Sequence, residues 1–235
     1  MMWRWAICFS LLPGLALAAA AAGKVTLVDA SSNGKDNSGV VVWLEPAAGQ
    51  AEGKVSDGKP KPGLTMVHKN KTFMPHVLAG TVGTKVSFPN RDPFFHNAFS
   101  NYDGQIFDIG LHGPGTTKEL ILRRPGVVRV FCNIHPNMSA VIVVLDTPYF
   151  AVSDTAGNFT LPDVPNGDYH LKVFHERVSP AALKALEHRI NIGDDPVTLA
   201  PISLSAAGYL ETPHKNKVGK DYPAVIKDLY PGQVQ

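Results

Sequence analysis

The sequence predicts an all-β protein made of two successive sandwiches, on three observations. Short β-branched apolar runs recur along the chain, Gly-, Pro-, Asn- and Asp-rich clusters separate them, and the pattern breaks near residue 147 and restarts. The runs of the first part are residues 25–28, 40–44, 64–67, 85–88, 120–122, 127–131 and 141–145. Turn clusters at 31–39, 89–93 and 124–126 close them, and the Gly-, Lys- and Pro-rich stretch 47–63 reads as a mobile surface insertion. In the second part, residues 151–154 lead through a Gly157-Asn158 turn to 159–161, and Pro165-Asn166-Gly167-Asp168 turns into 169–174. Ser179 before Pro180 has the pattern of an N-cap followed by proline at the first helical position, so a short helix is expected there. Residues 190–192 and 197–204 are the last strands, and 209–235 are expected to be an extended or disordered tail.

The first 22 residues have the layout of a secretory leader: Arg4, an apolar run over 6–22 interrupted by Pro13 and Gly14, and small-x-small cleavage sites beginning at Ala16-Leu17-Ala18. A membrane anchor fits less well, because the run is near the lower length for a span and ends in small residues rather than a basic flank. The expected organisation is a leader over 1–22, a first domain over 23–147, a second over 148–208 and a tail over 209–235. Cleavage removes Arg4, so 21 basic residues remain against 20 acidic ones, and the net charge is about +1. Such a chain has no electrostatic footprint for nucleic acid, and no membrane attachment is expected once the leader is gone.

Cysteine usage is more informative. Cleavage removes Cys8 and leaves Cys132 without an intrachain partner in an oxidising compartment. That leaves an intermolecular bridge, a reactive thiol, a metal ligand or a plain buried cysteine. Residues 131–138 read FCNIHPNM, so Cys132, His135 and Met138 follow one another at intervals of three between two apolar strands. Three side chains in such a loop can turn toward one point, and Pro136 stiffens the loop. Thiolate, imidazole and thioether suit copper, and two histidines with a cysteine and a weak axial methionine form the ligand set of a blue-copper centre. The missing histidine is expected at His96, which follows the strand over 85–88. Asn97 beside it could cross-link the two ligand-bearing segments by hydrogen bonds. His76, at the end of another apolar bend, is the rival to His96.

These residues resemble those of the cupredoxins, the small blue-copper proteins, whose pattern is an upstream His-Asn after a strand and a later Cys-x-x-His-x-n-Met loop. The stretch KVSFPNRDPFFHNAFS matches the first half, and with two residues between His135 and Met138 the loop is most similar to that of amicyanin, within the amicyanin/plastocyanin-like type. The resemblance covers about residues 24–146. Residues 148–205, with DTAGNFTLPDVPNGDYHLKVFH, resemble the transthyretin (prealbumin) and carboxypeptidase-regulatory-like sandwiches. The combination resembles periplasmic methylamine-utilisation proteins. It implies a Greek-key sandwich with one type 1 copper ion, followed by a smaller prealbumin-like one. It also implies a periplasmic one-electron carrier serving redox partners such as a dehydrogenase or cytochrome. In that family the downstream histidine is the exposed edge for electrons, here His135, with Pro93, Phe94, Phe95 and Pro136 as a docking collar. Amicyanins lack the second domain, so their partner does not carry over.

Other chemistry fits less well. A Cys132 nucleophile activated by His135 would have no orienting acid in the loop and no use for Met138. Zinc does not ordinarily take a thioether ligand. No His-x-His, phosphate loop, serine elbow or CxxC is present, so the protein is not expected to be an enzyme. The competing function is copper storage, delivery or scaffolding without electron transfer, which extra ligation by His76 or His68 would favour. A metal-free structural module is the third reading.

Overall fold

The computed structural model describes residues 18–28, 36–48, 62–101, 104–210 and 212–222. The leader up to residue 17, most of the insertion expected over 47–63 and the end of the tail therefore lie outside the described residues. Nearly all regular structure is β, and the strands form two pairs of packed sheets.

One pair carries the candidate site. Its first sheet runs Thr117–Ile121, Lys85–Pro89, Leu64–Thr65, and its second runs Val77–Thr81, Ser139–Leu145, Gly126–Phe131, Phe99–Ser100, Phe107–Asp108. Alternate residues point inward, so Val86 and Phe88 meet Val128, Val130, Ile142 and Val144 in one core. A small hairpin of Val67–Lys69 and Thr72–Met74 lies beside it.

The other pair consists of Asn158–Pro165, Ala18–Val28, Val197–Thr198 and Ile202–Ser205 in one sheet, and Phe150–Val152, Val41–Pro46, Gly167–Phe174 and His188–Ile192 in the other. Val25, Leu44, Phe159, Leu161 and Leu171 fill the core between them. The boundary expected at residue 147 thus separates strands that pair with each other. Ala18–Val28 bonds to Asn158–Pro165, and Val41–Pro46 lies between Phe150–Val152 and Gly167–Phe174. The site-bearing sheets are an insertion within the second pair rather than a domain preceding it. An apolar run reads the same whichever sheet it joins, which is why order along the chain misled.

Ala18–Ala22 are part of the first strand, with Ala19 and Ala21 buried in the core. A leader boundary at residue 22 would fall inside that strand, whereas a cut after Ala18 leaves its buried alanines in place. The strand Ser139–Leu145 explains its own unbroken apolar sequence. Ala140, Ile142 and Val144 face the site-bearing core, while Val141, Val143 and Leu145 pack against Val41, Phe150 and Phe174 of the other unit. A strand buried on both faces needs no polar alternation. The short helix Pro180–Leu186 forms where expected, with the Ala182 N–H donating to the Ser179 hydroxyl at 3.2 Å. Among the described residues no helix is long and apolar enough to cross a membrane.

Candidate metal centre

Cys132 immediately follows the strand Gly126–Phe131, and Met138 immediately precedes Ser139–Leu145. These strands pair with Phe131 opposite Ser139, so residues 132–138 are the loop of a hairpin. Two main-chain bonds close it: Cys132 N–H to Met138 C=O at 3.0 Å and Met138 N–H to His135 C=O at 3.2 Å. The closure turns His135 back toward the cysteine, with its Nδ1 3.5 Å from Sγ. Met138 is buried in the same core cluster as Cys132.

His96 comes from the connection after Lys85–Pro89. Its main chain exchanges both hydrogen bonds with His112, at 3.1 and 2.9 Å, and its Nδ1 lies 3.9 Å from Cys132 Sγ. Nε2 lies 2.8 Å from Asp92 Oδ2 in the interior. The same carboxylate accepts the N–H groups of Asn70 and Lys71 at 2.6 and 2.9 Å. Burial would raise the Asp92 pKa, but those amides and His96 outweigh it and hold the carboxyl below its ordinary value. An ionised Asp92 requires the proton on His96 Nε2, which leaves the Nδ1 lone pair facing the sulfur.

The ligand atoms of His96, Cys132 and His135 lie within 4.8 Å of one another, and all three residues are buried. Burial pushes the Cys132 thiol up, against the main-chain N–H groups of Ile134, Asn97 and His135, which favour the thiolate. Burial likewise lowers the His96 pKa against the opposing Asp92 contact, so the ring is neutral at neutral pH, as a ligand must be. A thiol with two imidazoles fits a soft cation such as copper.

Several expected details differ. Asn97 links the two segments through its main-chain N–H to the sulfur; its side chain donates to Asp108 instead, at 2.7 Å. His76 is not part of the group and pairs with Glu176 of the other unit at 2.6 Å. His135 is only 5% exposed rather than an open edge. The Phe94 ring lies 5.6 Å from it and 5.2 Å from His96, with the Lys71 ammonium over its far side. Phe95 is 42% exposed, and Pro93 and Pro136 are at least partly exposed.

The tail also departs from expectation, because residues 212–222 fold across the ligand loop. Tyr222 donates its hydroxyl to the Cys132 carbonyl at 2.6 Å, Lys217 N–H donates to Asn133, and the His214 ring lies 4.5 Å from that of Phe131. Sequence reasoning also missed Asp92 and His112, and it named His68 only as a possible extra ligand. Met66 and His68 share one face of an alternating segment, which was the available signal for burial of His68.

No protein-family model matches the chain. It is 42% identical over 60 residues to the methylamine utilization protein MauL of Methylorubrum extorquens, a stretch covering 25% of this chain and 53% of that protein. Over that stretch the chain resembles a methylamine-utilisation protein. It thus spans about half the length of the curated relative it matches. Solved structures similar to it include a purple cupredoxin from Nitrosopumilus maritimus, 23% identical over 35% of this chain and 99% of that one, with a TM-score of 0.33. A Cu(I) form of an amicyanin variant is 18% identical over 44% of this chain and 92% of its own, with a TM-score of 0.34. The copper-containing nitrite reductase of Thermus scotoductus is 27% identical over 43% of this chain and 25% of its own, with a TM-score of 0.35.

Proposed function

We propose that this is a periplasmic blue-copper protein that passes single electrons between redox partners and is not itself an enzyme. The observation that carries the reading is the convergence of three buried donors, with both imidazole Nδ1 atoms turned toward one thiol. His96, Cys132 and His135 would hold one type 1 copper ion, with Met138 as the weak fourth donor, and that ion would supply a one-electron Cu(II)/Cu(I) couple.

The chain's own part is to hold those donors still. Asp92 anchors His96, and the main-chain bonds across residues 132–138 hold the other donors, so little needs to rearrange when the charge changes. Burial favours the protonated Cys132 thiol, so its proton would leave to solvent when a cation binds the sulfur. The Phe94 ring, touching both histidines, and the more exposed Phe95 and Pro136 suit a transient apolar docking patch. The likeness to MauL supports a methylamine-utilisation setting, with a dehydrogenase or cytochrome as partner. The second pair of sheets is read as a prealbumin-like unit that orients the copper-bearing one.

The test is an optical and EPR spectrum of the Cu(II)-loaded mature protein beside Cys132→Ala. An intense blue thiolate band with narrow hyperfine splitting, lost in the variant, is expected. A pale adduct indifferent to Cys132 would instead mean copper storage or delivery through the histidines.

A further inference from the structure

Beside the described centre lies a second pair of histidines that the blue-copper reading does not use. His68 is on the strand Val67–Lys69, and His112 is held opposite His96 by the main-chain bridge. They are 0% and 3% exposed, and none of their four ring nitrogens has a hydrogen-bond partner. Their ring centroids are 4.8 Å apart with planes inclined at 54°. The rest of the His68 environment is the edge of Phe73 at 4.8 Å, Phe88 at 5.9 Å and His96 at 5.1 Å. The carbonyls of Gly110, Phe88 and His96 lie near the His112 ring, none of them closing a hydrogen bond with it.

A neutral imidazole carries one donor and one acceptor, and leaving both unmet in an interior costs free energy that an apolar residue would avoid. Two such residues facing each other call for a shared partner. Neutral imidazole nitrogens in an apolar surround are good copper ligands. Calcium and magnesium need oxygen, and zinc needs about four donors. We propose that His68 and His112 form a second copper site, which takes a single Cu(I) ion between imidazole nitrogens.

The experiment titrates the full-length mature apoprotein with Cu(I) under anaerobic conditions against a chromophoric Cu(I) chelator, with imidazole ¹H–¹⁵N spectra recorded in parallel. About two Cu(I) ions per chain are expected, falling to about one in His68→Gln and in His112→Gln, while the blue band of the oxidised variants is retained. The His68 and His112 nitrogens should shift on copper addition in the wild type and also in Cys132→Ala. That arm separates this site from the thiolate centre, so the two readings can fail independently. If the histidine variants do not fold, the wild-type nitrogen shifts decide. About one Cu(I) per wild-type chain, with His68 and His112 resonances unmoved, would overturn the proposal and assign a buried water to those nitrogens.

Discussion

Asp92→Asn is the most direct probe of how the centre is held. Three donors converge on the carboxylate: Asn70 N–H on Oδ1, and Lys71 N–H and His96 Nε2–H on Oδ2. An amide has one acceptor oxygen. With that oxygen at the Oδ2 position, its NH₂ group faces the Asn70 N–H at a distance that was 2.6 Å; flipped, it faces two donors instead. At least one of the three donors is left unmet, at about 1–3 kcal/mol if it is the buried His96 and less if it is a part-buried amide, and the surviving bonds lose their charge assistance. The apoprotein should therefore lose about 2–4 kcal/mol of stability, measured by urea unfolding. His96 also becomes a weaker and less firmly oriented ligand, so copper affinity should fall about 10–100-fold in a chelator competition, the range for ligand-supporting partners. The blue band should survive, because Asp92 is not a ligand. Affinity unchanged within about threefold, with stability alone reduced, would show that Asp92 supports the turn and not the histidine, and the tautomer argument would be wrong.

Replacing Met138 with Leu should leave copper bound but shift the redox potential, as read by voltammetry; complete loss of binding would refute a weak axial role. Tyr222→Phe removes one part-buried hydroxyl-to-carbonyl bond, so residues 212–222 should be held less firmly on the ligand loop, by about 1 kcal/mol, seen as faster hydrogen exchange there. The His76–Glu176 contact ties the two units with a defined pH window. Glu176 raises His76 above 6.5, so that contribution is complete below 6.5 and fades as pH rises through the higher folded value. Burial opposes ionisation of Glu176, but the His76 bond outweighs it and holds the carboxyl below 4.5, so its contribution is complete above 4.5 and fades as pH falls through the lower folded value. With His76 46% exposed, Glu176→Gln should cost less than about 1 kcal/mol, and a pH series of melting temperatures should show the difference from wild type largest between 4.5 and 6.5. If the proposed leader is cleaved, intact mass should place the N-terminus at Ala19; a start after Ala22 would remove the buried Ala19 and Ala21 from the strand.

The legible features were those whose signal is local. Strands, turns and the Ser179 cap each depend on a few adjacent residues, and the Cys132, His135 and Met138 loop is a single hairpin whose two ends are set by its flanking strands. His96 was reachable because it follows a strand in the manner of the family pattern. Its anchor was not, because Asp92 acts from an irregular connection whose conformation depends on the amides of a separate hairpin at Asn70 and Lys71.

By itself, then, the sequence determined the all-β class, the soft donor set and the loop that carries most of it. These follow from residue type and short spacing, which the backbone converts directly into period and turn. Only the tertiary structure decided that Ala18–Val28 and Val41–Pro46 pair with strands more than a hundred positions later, that His76 faces Glu176, that His68 and His112 meet, and that residues 212–222 cross the ligand loop. The reason is physical. A strand's apolar pattern specifies that it must be covered but not by what, and a buried histidine's partners are chosen by packing between segments that have no contact along the chain.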